Sequence, residues 1–320
     1  MELIRGHYNL RPRHRGCVAT IGNFDGLHLG HQAILARLVA KSHEYDLPSV
    51  VITFEPHPQE YFQLGNQQRL ARLTSFREKF EVLAELPIDR VLCLPFNRGL
   101  AEMTAADFID RVLVGALGLR ALVIGDDFRF GARRQGDIAT LRAAGEQHGF
   151  EVVVVDALES GGSRASSTRI REALRSGDLA EAERMLGRPY RLDGLVVAGD
   201  GLGRQLGFPT ANVYLQRRSF GSGAGTHQAP LAGVFAVRVL GIANQALPGV
   251  ANIGTRPTVD GTECRLEVHV LDFKGDLYGR HLRVEFHARL REERRFASLG
   301  ALVAQIERDV RAAREWFASK

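Results

Sequence analysis

The chain has 320 residues, more than one hydrophobic core usually serves, so two domains are expected. Its 45% hydrophobic and 25% charged residues describe a globular protein and exclude a disordered, fibrous or coiled-coil chain, and no apolar run approaches the roughly 20 residues that cross a bilayer. The 42 basic residues exceed the 37 acidic ones only mildly and are scattered, which suits small anionic substrates better than nucleic acid. No membrane and no nucleic-acid partner is therefore expected. The basic start MELIRGHYNLRPRHRG has no apolar stretch behind it and does not read as a secretory leader, so the cytoplasm is the expected compartment. Cys17, Cys93 and Cys264 stand far apart with no CxxC pair, which excludes a disulfide framework or zinc ribbon and predicts buried thiols.

In chain order, Cys17 to Ile21, Val50 to Phe54, Val91 to Phe96, Ala121 to Ile124 and Val152 to Val155 read as strands buried on both faces. Helical spacing occupies the intervals at Gln32 to Tyr45, Phe76 to Leu86, Ala105 to Leu117 and Gln135 to His148. Such alternation predicts a doubly wound parallel sheet. Short helices at Thr168 to Arg175 and Leu179 to Leu186 precede Gly187-Arg188-Pro189, where a domain boundary is placed. Beyond it, strands of alternating polarity are expected at Leu192 to Ala198, Val234 to Leu240, Gln245 to Ile253, Arg265 to Asp272 and His281 to Leu290, as in a small antiparallel barrel. From Leu299 to Phe317 the residues Leu299, Leu302, Val303, Ile306, Val310, Ala313 and Phe317 form one helical stripe for packing on that barrel. Ser219 to Gly225 (SFGSGAG) has the composition of a flexible loop.

The segment Gly22-Asn23-Phe24-Asp25-Gly26-Leu27-His28-Leu29-Gly30-His31 follows the first expected strand and opens a helix, where an open α/β sheet binds its ligand. Gly22, Gly26 and Gly30 permit close backbone approach to a phosphate, and the helix start adds N–H groups and a favourable dipole. His28 and His31, three apart on one face, can donate hydrogen bonds to a phosphate whose charge grows during displacement. HxxH spacing also suits a metal pair, but no third ligand can be placed in the sequence.

These residues resemble the HxGH signature of the nucleotidyltransferase superfamily, in which a nucleoside triphosphate is attacked at its α-phosphorus and pyrophosphate leaves. The wider GNFDGLHLGH form resembles the adenylyltransferase module of the bifunctional bacterial riboflavin kinase/FMN adenylyltransferase (FAD synthetase) family. GDDFRFG (Gly125 to Gly131) and SSTRIR (Ser166 to Arg171) follow in the family's order. The resemblance implies that Gly22, Phe24, Asp25 and Gly30 line the nucleotide and that Asp127 and Phe128 line the flavin or adenine side. Ser167 and Thr168 sit where hydroxyls and helical N–H groups converge on an anion, and Arg171 can fork onto triphosphate oxygens, which suits a leaving pyrophosphate.

The second half opens with Gly199 to Asn212 (GDGLGRQLGFPTAN), whose Gly201, Gly203 and Gly207 permit backbone contacts with phosphate while Thr210 and Asn212 are hard oxygen ligands suited to Mg²⁺ held with a nucleotide. In Leu266-Glu267-Val268-His269-Val270, alternation puts Glu267 and His269 on one strand face, and a carboxylate so placed can take a proton from a substrate hydroxyl. His269 is the competing base. GLGRQLGFPTAN, NIGTRPTVDG (Asn252 to Gly261), LEVHVLDFKGDLYG (Leu266 to Gly279) and LREERRF (Leu290 to Phe296) resemble the riboflavin kinase domain in family order. This implies a six-stranded barrel in which Thr210 and Asn212 hold MgATP and Glu267 is the general base for the ribityl hydroxyl of riboflavin. Between Leu215 and Pro230 the sequence is longer and richer in Gly and Ser than the family pattern.

The expected protein is thus an α/β doubly wound nucleotidyltransferase domain (1–186) followed by a small antiparallel six-stranded β-barrel with a C-terminal helix (187–320). By resemblance it converts riboflavin to FMN and FMN to FAD, with ATP as co-substrate and Mg²⁺. Rival readings are a nucleotidyltransferase for another small phosphate, or a flavin-binding regulator without catalysis. The joint presence of His28, His31, Thr210, Asn212 and Glu267 argues against the second.

Overall fold

The computed structural model describes residues 1–63, 70–157, 159–160, 163–199, 201–215, 229–258 and 261–320. The patch Ser219 to Gly225 lies outside them. Among the described residues, chain contacts form two units, one of residues 1–70 and 76–165, the other of 71–75 and 166 onward.

The first unit holds a parallel sheet of β1 (Glu2–Arg5), β2 (Cys17–Ile21), β3 (Ser49–Glu55), β4 (Arg90–Pro95), β5 (Leu119–Gly125) and β6 (Glu151–Val155), ordered β1-β4-β3-β2-β5-β6. Five of these strands match the sequence pattern, and β1 is an addition. Its four residues, ELIR, carry charge at both ends, so pairing with β4, from Glu2 opposite Arg90 to Arg5 opposite Cys93, makes the strand where its own pattern does not. Its helices are α1 (Leu29–Tyr45), α2 (Pro58–Phe62), α3 (Phe76–Ala84), α4 (Arg98–Ala101), α5 (Ala105–Phe108) and α6 (Ile138–His148). The helix expected from Ala105 to Leu117 widens to a π turn over Ile109–Ala116. Helix α6 starts three residues later than expected, because the Asp137 carboxylate accepts the Thr140 N–H at 2.9 Å and caps it there. A two-stranded hairpin, β7 (Glu159–Ser160) with β8 (Ser163–Arg164), follows β6.

Strand alternation sends Ala19, Ile21, Ile52 and Leu122 to a core with Phe108, Leu113 and Leu141, and Val18, Val51, Val91 and Val123 to a second core with Leu35, Leu38 and Leu83. Both faces are covered, which is why these strands read as unbroken apolar runs. Cys17 lies within the sheet, and burial pushes its thiol up to about 12. Cys264 is only half-buried, because it lies on β13 beyond the span paired with β10, which runs from Leu266 to Val268. The chain proceeds from β2 through β3 to β4 on one side and from β5 to β6 on the other, so the topological switch point lies at the carboxyl ends of β2 and β5.

In the second unit α7 (Ser167–Ser176) and α8 (Leu179–Leu186) lead into β9 (Tyr190–Val197), α9 (Leu202–Gln205), β10 (Ala211–Tyr214), β11 (Gly233–Leu240), β12 (Leu247–Thr258), β13 (Gly261–Val270), β14 (His281–Arg291) and α10 (Leu299–Ala318). The six strands close a barrel in the order β10-β13-β12-β11-β14-β9, with β9 pairing back onto β10. Phe235, Val237, Ile253, Leu266, Val268, Leu282 and Phe286 fill its interior. Helix α8 packs on β9 and β14 and buries Leu179, Ala182, Met185 and Leu186, which draws α7 and α8 into the barrel's unit.

Helix α10 docks on the outer barrel wall, where Ala313, Val310, Trp316 and Phe317 meet Val234, Ala236 and Val250. The stripe seen in the sequence is shifted at its start: Leu299 is 59% exposed, whereas Gln305 and Asp309 are buried. Asp309 can be buried because Arg291 Nε lies 3.0 Å from both its carboxylate oxygens and Gln305 Nε2 donates to it at 2.7 Å.

Candidate active sites

At the switch point the loop after β2 bends through left-handed backbone at Phe24 (φ 49°), Gly26 (φ 84°) and Leu27 (φ 47°). For a non-glycine residue such a conformation costs about 1–3 kcal/mol and persists only where surrounding contacts impose it. Here Phe24, Asp25 and Leu27 are buried. Phe24, expected to line the nucleotide, is buried with its ring 5.2 Å from that of His31, and Gly22 leaves room for the Phe24 ring. A Cβ on Gly30 would lie 3.2 Å from His28 Nδ1, so glycine here lets the imidazole fold over the helix start.

His28 is the N-cap of α1. Its Nδ1 accepts the His31 N–H at 3.4 Å, which leaves the proton of the neutral ring on Nε2. The two imidazoles stack with centroids 3.7 Å apart. Burial, aided by Arg164 and opposed by Asp25 and Asp127, lowers His28 to about 4. Burial, then the neighbouring His28 and Lys79, hold His31 well below the usual histidine range, against Asp25. The pair is therefore two neutral N–H donors near neutral pH. His31 Nδ1 is buried and has no hydrogen-bond partner among the described residues.

Beyond β5, the Arg164 guanidinium lies 2.8 Å from both Asp126 and Asp127. Phe128 stacks on Phe130 at 5.6 Å. The sequence left unnoticed an aromatic group at the carboxyl ends of β3 and β4: Phe54, Tyr61, Phe62 and Phe96 meet edge to face at 5.4–5.8 Å, and Phe62 is 66% exposed. Helix α2, which carries Tyr61 and Phe62, has five residues and is too short to show a period; Pro58 at its first position was the available signal. Lys79 was also missed and holds the loop from α3, donating to the Asn23 carbonyl at 2.5 Å and to Thr53 Oγ1 at 3.2 Å.

Ser166, not Ser167, caps α7, its hydroxyl accepting from Arg169 N–H at 3.3 Å; Ser167 and Thr168 occupy the first turn. Arg171 is buried, with Nε donating to the Ala71 carbonyl at 2.8 Å, so its guanidinium is anchored within the second unit. The histidine pair and the SSTRIR motif belong to different units.

On the barrel, Asn212 of β10 stands opposite Glu267 of β13, which stands opposite Asn252 of β12; Val234 of β11 and Arg291 of β14 extend the same row. Leu266 and Val268, on either side of Glu267, fill the barrel, so the row faces outward. A cavity of about 340 Å³ lies over it, bounded by Gly201, Gly203, Thr210, Phe296 and the Leu302, Ile306 and Val310 side of α10. Gly201, at φ 70°, caps α9, and Gly207 ends it at φ 87°. His269 Nδ1 lies 2.8 Å from the Pro209 carbonyl, which can only accept, so that nitrogen carries a proton.

Comparison with known proteins covers both halves of the chain. The FAD synthetase family model matches residues 10–169 and the riboflavin kinase model residues 186–317. A bifunctional riboflavin kinase/FMN adenylyltransferase of Pseudomonas fluorescens is 53% identical over 98% of this chain and 97% of its own. Its Escherichia coli K12 counterpart is 50% identical over 99% and 98%. A solved Streptococcus pneumoniae structure, described as a macrolide-efflux protein, superposes with a TM-score of 0.81 at 29% identity, covering 99% of this chain and all of that one. No described helix here is long and apolar enough to cross a membrane. The chain therefore belongs to the bifunctional riboflavin kinase/FMN adenylyltransferase family, enzymes that use ATP to phosphorylate riboflavin to FMN and to adenylylate FMN to FAD.

Proposed function

We propose that residues 187–320 carry the kinase step with Glu267 as general base, and residues 1–186 the adenylyl transfer with His28 and His31 as donors to the α-phosphate. The direct cross-strand pairing of Asn212 with Glu267 on the cavity wall carries the kinase assignment. Glu267 takes the ribityl hydroxyl proton as that oxygen attacks the γ-phosphorus of ATP and the bond to the bridging oxygen breaks, releasing ADP. The Nδ1 proton of His269 is engaged by the Pro209 carbonyl, which ties His269 to the Pro209-Thr210 turn and leaves its Nε2 as the competing base that the test below must separate from Glu267.

Thr210 and Asn212 fit Mg²⁺, because both offer hard oxygen atoms beside the cavity and no group of three or more His, Cys, Asp or Glu forms a cage for another metal among the described residues. Bound with ATP, the ion supplies charge neutralisation on the phosphates. Gly201, Gly203 and Gly207 supply backbone contacts to the same nucleotide.

In the second reaction a phosphate oxygen of FMN attacks the α-phosphorus of ATP and pyrophosphate leaves. The Nε2 proton of neutral His28 meets the developing charge, and His31, whose Nδ1 has no hydrogen-bond partner among the described residues, is the second donor. Ser167, Thr168 and Arg171 bind the pyrophosphate, and Gly22, Asp25 and Gly30 shape the loop that receives the nucleotide. The exposed Phe62 group and the Phe128–Phe130 stack offer flat apolar faces for flavin, with Asp127 next in the chain to Phe128. The cytoplasm, where ATP is abundant, is the proposed location.

The test is Glu267→Gln, assayed by chromatography with riboflavin and MgATP and, separately, with supplied FMN and MgATP. Loss of FMN formation by about 10²-fold or more, with FAD formation from supplied FMN intact, is expected. Near-parental kinase turnover in Glu267→Gln, with loss in His269→Ala, reassigns the base.

A further inference from the structure

We infer that Lys79 is a positioning residue for adenylyl transfer: its buried ammonium clamps the left-handed turn after β2 and so sets where the two imidazoles stand. The inference rests on the role proposed for His28 and His31.

The loop between Gly22 and His28 leaves the sheet ladder after the bond from Gly22 N–H to the Ile52 carbonyl. It then takes three positive φ angles within four residues. Something outside the loop must hold that shape, and Lys79 reaches it from α3. The side chain is 3% exposed, and its Nζ bonds Asn23 O at 2.5 Å and Thr53 Oγ1 at 3.2 Å. Thr53 Oγ1 itself lies 3.4 Å from Asn23 O, so one cation ties α3, β3 and the loop at a single carbonyl, immediately before the strained Phe24. A buried ammonium is costly unless it is well bonded, and one of the bonds of this one goes to loop backbone.

The charge has a second effect. Among the described residues, the charged or titratable groups that act on His31 are His28, Asp25 and Lys79. His28 in turn faces Asp25, Asp127 and Arg164. Asp25 favours protonation of both rings, and Lys79 opposes it at His31. A neutral pair can stack at 3.7 Å and keep His28 Nδ1 as an acceptor for the His31 N–H; protonation removes that acceptor and adds repulsion.

The experiment measures FAD formation from supplied FMN and MgATP across pH for Lys79→Met, Lys79→Arg and His31→Ala, with FMN formation from riboflavin as the internal control. In Lys79→Met, kcat for FAD formation is expected to fall about 10²-fold, the effect of small misplacement at a reacting centre, with kinase turnover unchanged. The acid limb of its pH profile moves to higher pH, because loss of a positive neighbour raises the His31 pKa. Lys79→Arg restores the profile and most of the rate. A parental rate and profile in Lys79→Met overturns the inference. So does a lost rate with an unmoved profile, which marks a merely structural residue. Full FAD formation by His31→Ala sinks the underlying reading of the histidines instead. Should both Lys79 variants misfold by circular dichroism, Thr53→Val removes one acceptor without changing shape. A smaller loss of rate with an unmoved pH profile, the ammonium still being in place, then supports the clamp, and a parental rate refutes it.

Discussion

Keeping two histidines neutral inside the first unit has a consequence in acid. An unfolded histidine titrates near 6.5, whereas folded His28 is lowered to about 4 by burial. Below pH 6.5 the unfolded chain therefore binds protons that the folded one refuses, and stability falls as pH drops from about 6.5 towards 4. The His28 contribution is roughly 3 kcal/mol over that window, and His31, shifted in the same direction, adds to it. Urea unfolding at pH 7.5 and 5 should show a steeper loss in the parent than in a His28→Asn/His31→Asn variant; parallel losses would contradict it. At pH 7.5 the His28→Ala/His31→Ala variant should lose FAD formation by at least about 10²-fold and still make FMN from riboflavin. These side chains were legible in the sequence because helix start, glycines and HxxH spacing are all local. Lys79 was not, since the carbonyl it serves lies 56 positions away. Arg171 was legible as an anion-seeking cation, but its anchorage to Ala71, 100 positions distant, was not.

Among the elements, α10 joins stability to catalysis, because its inner side is both a docking surface and a cavity wall. Asp309→Ala would leave Arg291 without its carboxylate in a largely buried place. A loss of about 3 kcal/mol in the unfolding free energy is expected, with a raised KM for riboflavin and unchanged adenylylation of supplied FMN. Equal stability and KM in parent and variant would show that the pair does not hold the helix. Apolar periodicity revealed this helix almost to its ends, yet it could not reveal that Gln305 and Asp309 lie inward, since their burial depends on Arg291 from another element. Likewise β10 was legible as PTAN and not as a strand. Its four residues become one by pairing with β9 and β13.

At the level of the whole chain, sequence punctuation at Gly187 and the change of contacts at residue 166 give two places to cut. Fragments 166–320 and 187–320 should both make FMN and no FAD. The shorter one should melt at lower temperature, because it lacks the α8 side chains Leu179, Ala182, Met185 and Leu186, which are at most 6% exposed in the full chain. An insoluble 187–320 fragment would place the kinase boundary upstream.

The outward row from Asn212 through Glu267 to Asn252 also governs where this protein can change length during evolution. One residue inserted in β13 before Glu267 would turn the carboxylate into the packed interior and bring leucine or valine out to the cavity. Two inserted residues would restore the facing but carry the carboxylate about 7 Å along the strand, out of register with Asn212. Neither parity is tolerable, so insertions and deletions must accumulate outside the strands.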